Sequence, residues 1–130
     1  MKFNTEMICL NILLIEPGKK PKPVSIENSL ESMQSIVGGL IQAVFPFPEP
    51  VALICNDEAK LLGLPFNRVL RNEDGTIYDA ICGTFFLCGA PDDSDDFTGL
   101  PQEQQVQFTR YFERPECMFR TENGLIFVRM

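Results

Sequence analysis

The stretch that decides the fold reads VALICNDEAKLLGLPFNR and runs from Val51 to Arg68. Its first five residues, Val51 to Cys55, are all apolar and predict a short buried strand. The segment from Asn56 to Ala59, which opens with three polar residues, then predicts a reversal, because asparagine bonds to backbone two residues on and tolerates turn geometry. Lys60 to Gly63 is expected to return as a short paired strand, and Leu64-Pro65 to fix the chain that follows.

The candidate binding residues are the polar groups of this stretch and one threonine beyond it: Asn56, Asp57, Glu58, Lys60, Asn67, Arg68 and Thr84. The Asn67 amide either clamps two backbone segments or contacts a ligand, since it donates and accepts at once. Arg68 has two possible roles: an ion pair with Asp57 or Glu58, or recognition of a carboxylate or phosphate on a ligand. Thr84 is a hydroxyl with no base beside it, which is a weak signal for a nucleophile.

Length and charge limit the classes of protein to consider. A chain of 130 residues is expected to form one domain, residues 1–130, with a substantial core. The formal net charge of −7 argues against direct binding of nucleic acid, which needs clustered Lys and Arg. A second alternative remains: the acidic chain imitates nucleic acid and blocks a basic groove of a host protein, with the carboxylates of Asp92 to Asp96 as the contact.

The absence of histidine removes the side chain best suited to proton transfer near neutral pH and the commonest metal ligand. Ser-His-Asp and Cys-His catalysis are therefore excluded within the chain. Five cysteines lie scattered in apolar runs, and their spacing is not that of a metal site, so we expect no metal and no cofactor. Unpaired thiols are typical of a reducing compartment, which predicts free cysteines and a cytoplasmic location. The sequence therefore favours a protein without catalytic activity and leaves an enzyme as the alternative.

The N-terminal apolar run does not have the pattern of an export signal. Glu6 and Asn11 interrupt it, and no small-residue cleavage site precedes Glu16-Pro17-Gly18. No apolar stretch approaches the about 20 residues that a membrane-spanning helix needs. We therefore expect no association with a membrane.

The remaining elements follow from periodicity, caps and turn residues. Before the central stretch, the predicted elements are a strand from Met7 to Ile15, a solvated connector from Lys19 to Pro23, a short strand from Val24 to Ile26, a helix from Ser29 to Val37 that stops at Gly38-Gly39, and a strand from Leu40 to Phe45. After it come a turn at Asn72 to Gly75, a strand from Thr76, a strand from Ile81 to Gly89, a helix from Leu100 to Phe112 or Glu113, and a hairpin of Cys117 to Thr121 and Leu125 to Arg129.

These elements predict an α+β fold, with a mixed, mostly antiparallel sheet of about six or seven short strands. Two helices pack on the sheet, and a β-hairpin closes the C-terminus. The strands expected at its centre are Met7 to Ile15, Val51 to Cys55 and Ile81 to Leu87.

Four motifs resemble a bacterial and phage family catalogued as domain of unknown function 3846. They are Ile15-Glu16-Pro17-Gly18, the helix from Leu30 to Gly39, the stretch from Cys55 to Arg68, and Gly83 to Gly89. A helix opening at Leu100 to Gln104 also fits, so that the resemblance covers most of the chain to about Phe112. The chain departs from the family pattern at Ala59, where glycine is common. The resemblance implies no established activity, but it implies an accessory role on a phage or other mobile element.

The leading hypothesis is a non-enzymatic binding module with an unidentified protein partner. Its surface would comprise the Asn56 to Arg68 loops, assisted by the acidic loop. The alternative is a small-molecule binder or enzyme that uses Arg68 and nearby carboxylates. A concave pocket in which Arg68 meets two of these groups would favour that alternative.

Overall fold

A computed structural model describes residues 9–130 of the chain. Met7 and Ile8, where the first strand was expected to begin, lie outside the described residues. Within them the elements are β1 (Cys9–Ile15), β2 (Lys22–Glu27), α1 (Leu30–Val37), β3 (Ile41–Val44), β4 (Val51–Asn56), β5 (Phe66–Arg71), β6 (Ile77–Cys82), β7 (Phe85–Gly89), α2 (Gln102–Tyr111), β8 (Glu116–Thr121) and β9 (Gly124–Arg129).

The main sheet has five strands in the order β2-β1-β7-β4-β3, and every neighbouring pair is antiparallel. Two further antiparallel pairs, β5-β6 and β8-β9, complete the strands of residues 9–130. The two helices and the C-terminal hairpin agree with the sequence prediction. The expected strand number was too low, and the expected mixed sheet was wrong, because all strand pairs in the described residues run antiparallel.

The main sheet is buried on both faces, so its central strands lack polar alternation. All five residues of β7 and all six residues of β4 are buried. One face packs on α1 through Met33 and Val37, and the other packs on α2 through Phe108 and Phe112. The α2 face also receives Leu70 from β5 and Ile81 from β6. The second strand pair therefore forms part of the layer over that face.

The predicted strand from Ile81 to Gly89 is divided in two. Gly83 adopts φ +78 and its N–H donates to the Pro65 carbonyl at 2.6 Å, which ends β6 before β7 begins at Phe85. Only glycine takes up this left-handed geometry readily. Of the three strands expected at the centre, Ile81 to Leu87 therefore contributes only its second half to the main sheet.

Two further local predictions were wrong. Lys60 to Gly63 forms turns, with the Leu62 N–H donating to the Glu58 carbonyl at 2.9 Å, and pairs with no strand. The expected connector from Lys19 to Pro23 ends earlier, because Lys22 and Pro23 belong to β2. An outer strand accepts proline since one of its edges needs no ladder hydrogen bond.

The first helix and the last hairpin form as their end signals predict. Ser29 caps α1 by accepting from the Ser32 N–H at 3.1 Å, and Gly38 ends the helix with φ +80. The hairpin turns through two residues, with Thr121 paired to Gly124. Within this hairpin, Gly124 is the residue with a positive φ, +119. None of the helices in residues 9–130 is long and apolar enough to cross a membrane.

Candidate functional site

Asn67 is the extra residue of a bulge in β5. Phe66 pairs with Cys82 and Arg68 with Ile81, so that Asn67 has no partner in the ladder. A bulge redirects a side chain, and here the Asn67 amide is fully buried. Its Nδ2 donates to the carbonyls of Ile15 and Gly83, both at 2.9 Å. The amide thereby joins β1, β5 and the break before β7, in the clamp geometry that the sequence allows.

Arg68 is buried, with 1% exposure, and its guanidinium bonds to backbone and amide oxygens. The three nitrogens donate to the carbonyls of Phe112, Lys19 and Asn67 and to Asn67 Oδ1, at 2.6 to 3.4 Å. These five hydrogen bonds equal the five N–H groups of a guanidinium. Burial lowers the pKa of Arg68. An ion pair with Asp57 or Glu58, one of the two roles that the sequence allows, is absent from the described residues, and no N–H is left over for a ligand.

Asn56 ends β4 and is also buried. Its Nδ2 donates to the Val37 carbonyl at 3.1 Å, at the end of α1, and its Oδ1 accepts from the Glu58 N–H at 2.7 Å. This second bond is the asparagine turn predicted from the sequence. The turn directs the next side chains outward: Asp57, Glu58 and Lys60 are exposed, and Leu61 is 86% exposed.

A cleft of about 230 Å³ lies beside this turn, between the edge of the main sheet and β6. We call it the edge cleft. Residues from three places line it: Gln42 and Cys55 on neighbouring β3 and β4, the turn from Asn56 to Leu61, and the end of β6 from Asp79 to Cys82. A second depression continues along β3, where Phe45 and Tyr78 join Gln42, Asp79 and Ile81. The edge cleft and this depression are therefore both bounded by strands of the main sheet on one side and by β6 on the other.

The rim of the edge cleft is acidic. Asp57, Glu58 and Asp79 supply three carboxylates against the single ammonium of Lys60, which donates to Asp79 Oδ1 at 3.0 Å. Both members of this ion pair are well exposed, with side-chain exposures of 65% and 44%. Such a pair adds little stability and leaves its groups open to a partner.

The thiols of the cleft are not activated. Burial, with Asp79 and Asp57 nearby, raises the pKa of Cys55 to about 11. Burial also raises the pKa of Cys82. Thiols with raised pKa values stay protonated near neutral pH and are poor nucleophiles.

Comparison with known proteins identifies the family. The family described as "domain of unknown function (DUF3846)" matches residues 10–113. The chain belongs to this family. No curated protein and no solved structure matches the chain. The edge cleft and the three buried polar residues of the central stretch lie inside the DUF3846 region, whereas β8 and β9 lie beyond it.

The other predicted site residues of the DUF3846 region lie apart from the cleft. Thr84 is half-buried in the break between β6 and β7 and does not line it. The acidic loop, Asp92 to Asp96, borders a different depression with Pro50 and Phe47. Phe45 lies at the boundary, since it lines both that depression and the extension of the edge cleft.

Sequence reasoning missed the groups that β3 and β6 bring to the edge cleft. Gln42 and Asp79 in the edge cleft, and Tyr78 in the adjoining depression, were not candidates, because their positions depend on β6 folding back over the main sheet. One signal was present: Asp79 lies two residues before Ile81, so that a strand with Ile81 buried directs Asp79 to the same side, toward the sheet.

The geometry separates the predicted residues into two groups. Asn56, Asn67 and Arg68 bond within the fold, whereas Asp57, Glu58 and Lys60 face solvent at the cleft. A concave pocket exists, but Arg68 is not among its lining residues. The condition set for the enzyme alternative, Arg68 converging with two other groups in one pocket, is therefore not met as stated.

Proposed function

We propose that the protein is a non-enzymatic binding module whose edge cleft takes a segment of a partner protein. The observation that carries the proposal is the edge cleft itself, which combines strand walls, an acidic rim and two adjoining exposed leucines. Leu61 is 86% exposed and Leu62 is 58% exposed on the turn that forms one wall. Exposed apolar side chains beside a polar rim are typical of protein-binding surfaces.

The buried polar residues support this proposal indirectly. Asn56 and Asn67 hold the two ends of the segment from 56 to 67 by hydrogen bonds to α1 and β1. The turn between them therefore has a fixed position, and a preformed surface loses less entropy when it binds. Activation of a nucleophile finds no such support, because the cleft thiols are protonated.

The biological setting that we propose is an accessory protein of a phage or other mobile element, acting in the cytoplasm. The resemblance stated from the sequence motifs supports the first part. The five cysteines, all free thiols, support the second, since disulfides are rare in reducing compartments.

Site-specific photocrosslinking in the producing cell tests the proposal. A photoreactive residue replaces Leu61 beside the edge cleft and, as a matched control, the exposed Ser35 on α1 at the opposite face of the sheet. We expect a discrete protein adduct from position 61 and none from position 35. The captured protein is then purified and its affinity measured by calorimetry against the wild-type chain and the Asp57→Asn/Glu58→Gln variant.

Equal adducts from both positions, or unchanged affinity of the charge variant, would overturn the proposal. The enzyme alternative makes a different prediction for the same variant. Turnover of a metabolite that disappears in Asp57→Asn, while circular dichroism shows an intact fold, would establish that alternative.

A further inference from the structure

The two outer strands of the main sheet differ in how they are protected from pairing with another chain. β2 carries Lys22 and Pro23 at its start, and charge and proline are the usual means of blocking an open edge. β3 reads Ile41-Gln42-Ala43-Val44 and carries neither. Within the described residues its one strand partner is β4, so its outer edge is open.

The register identifies the backbone groups on that open edge. The Asp57 N–H donates to the Leu40 carbonyl at 2.8 Å, so these two residues form a hydrogen-bonded pair. Such pairs alternate along an antiparallel ladder. With Gln42 opposite Cys55 as the next bonded pair, Ile41 and Ala43 direct their N–H and C=O groups away from β4.

The edge cleft lies directly beside this open edge. The side chain of Gln42 faces the cleft together with its cross-strand neighbour Cys55, and the Cys55 thiol donates toward the Gln42 side-chain oxygen at 4.0 Å. A strand added next to β3 would direct alternate side chains to the same side. Those side chains would meet Asp79 and the carboxylates of the turn.

We propose that an extended, basic segment of the partner protein adds to β3 as a further antiparallel or parallel strand and places lysine or arginine side chains in the edge cleft. This inference rests on the proposed binding function and specifies its mode. Main-chain hydrogen bonds to Ile41 and Ala43 supply the attachment. Asp57, Glu58 and Asp79, against Lys60 alone, select the basic side chains by charge.

Two proline variants separate strand addition from other contacts. Ala43→Pro removes an outward N–H on β3 and leaves the ladder with β4 intact. Ser25→Pro is the matched variant on β2, the other outer strand. Ser25 pairs with Asn11 of β1, and the Asn11 carbonyl accepts from the Leu100 N–H on the side away from β2. The Ser25 N–H therefore also points outward, away from β1. Both residues are exposed, and proline is tolerated where the N–H faces solvent.

The probe is a displayed library of random linear peptides, selected on the wild-type chain and then synthesised for fluorescence titration. We expect enriched peptides with lysine or arginine at alternate positions. Their affinity should fall by about tenfold or more with Ala43→Pro and stay unchanged with Ser25→Pro. Asp57→Asn/Glu58→Gln should weaken them by about twofold to fivefold per carboxylate, less so at high salt.

Three results would overturn strand addition. One is selection of no basic peptides, and another is equal loss of affinity in both proline variants. The third is a dimer of the chain alone that Ala43→Pro dissociates, because a second copy would then occupy the edge. If the crosslinked partner binds Ala43→Pro as tightly as wild type but loses affinity for Asp57→Asn/Glu58→Gln, the binding function stands and strand addition is refuted.

Discussion

Replacing Arg68 by lysine tests whether this buried arginine holds the fold together. The guanidinium joins three separate parts of the chain: Lys19 after β1, Asn67 in the β5 bulge, and Phe112 at the end of α2. The Phe112 carbonyl lies at the negative end of the helix dipole, where a cation is stabilising. Arg68→Lys keeps the positive charge, so the variant isolates the hydrogen-bond geometry.

The expected loss follows from the number of acceptors that lysine cannot reach. Its single nitrogen replaces three, and the two donors at 2.9 and 3.2 Å to Phe112 cannot both be kept together with the 2.6 Å bond to Lys19. An unsatisfied buried polar group costs about 1–3 kcal/mol. An ammonium is also more strongly hydrated than a guanidinium, so we expect a total loss of about 2–4 kcal/mol in the free energy of unfolding.

Urea unfolding monitored by circular dichroism measures this loss, with the slope m checked for a two-state transition. Arg110→Lys is the matched control, since Arg110 is exposed in the last turn of α2. Its effect should stay within about 0.5 kcal/mol. A loss below about 1 kcal/mol for Arg68→Lys, with m unchanged, would refute the reasoning that buried carbonyls depend on this side chain.

Three further predictions concern stability. Asn56→Ala removes the bond to the end of α1 and the turn bond, and should cost about 2–3 kcal/mol in urea unfolding; retained stability would show that water replaces the amide. Glu116→Ala leaves Arg71 and a backbone N–H of β5 without their buried partner and should cost about 3–5 kcal/mol by the same assay, whereas an effect near zero would contradict it. The raised pKa values of Cys55, about 11, and Cys88, about 12, mean that the folded state holds thiol protons that the unfolded state releases above the ordinary value of 9.0. The free energy of unfolding is therefore unaffected by these thiols below pH 9.0 and decreases as pH rises from there toward about 11 and 12. Cys88→Ala should reduce this decrease, and an unchanged slope of the free energy of unfolding against pH would contradict the assignment.

The sequence predicted best the elements whose signals are local. α1 begins at a serine cap and ends at Gly38, and both signals lie within a few residues of the helix. The C-terminal hairpin has a similarly local signal, since Glu122, Asn123 and Gly124 lie between two apolar runs. β4 follows from its uninterrupted apolar run, because both of its faces are covered.

The sequence failed where partners are distant along the chain. β5 contains Asn67, Arg68 and Arg71, which interrupt any apolar alternation, and the bulge shifts the pattern by one residue. The Asn67 amide donates to the carbonyl of Ile15, 52 residues away along the chain. The Arg68 guanidinium donates to the carbonyl of Phe112, 44 residues away. Local periodicity carries no information on such bonds, and polar residues therefore suggested an exposed loop.

The same limitation applies to Phe45 and Phe47, which flank Pro46 and which the sequence predicts to fold back together over an edge of the core. Phe47 packs as expected over the core, with its ring centroid 4.6 Å from that of Phe108. Phe45 was expected to pack with it but is 57% exposed. The two residues alternate with prolines, so the sequence does not distinguish which ring meets α2 and which meets solvent near the edge cleft.

The segment from Asn56 to Arg68 combines two roles that different substitutions should separate. Its inward side chains bond to α1, β1 and α2, so changes at Asn67 or Arg68 should lower the free energy of unfolding. Its outward side chains make no comparable contacts, so Asp57→Asn/Glu58→Gln should leave unfolding unchanged while it weakens binding at the edge cleft. The stable fold and the proposed surface are thus coupled in one direction: loss of the inward bonds disturbs the surface, whereas loss of the outward charges does not disturb the fold.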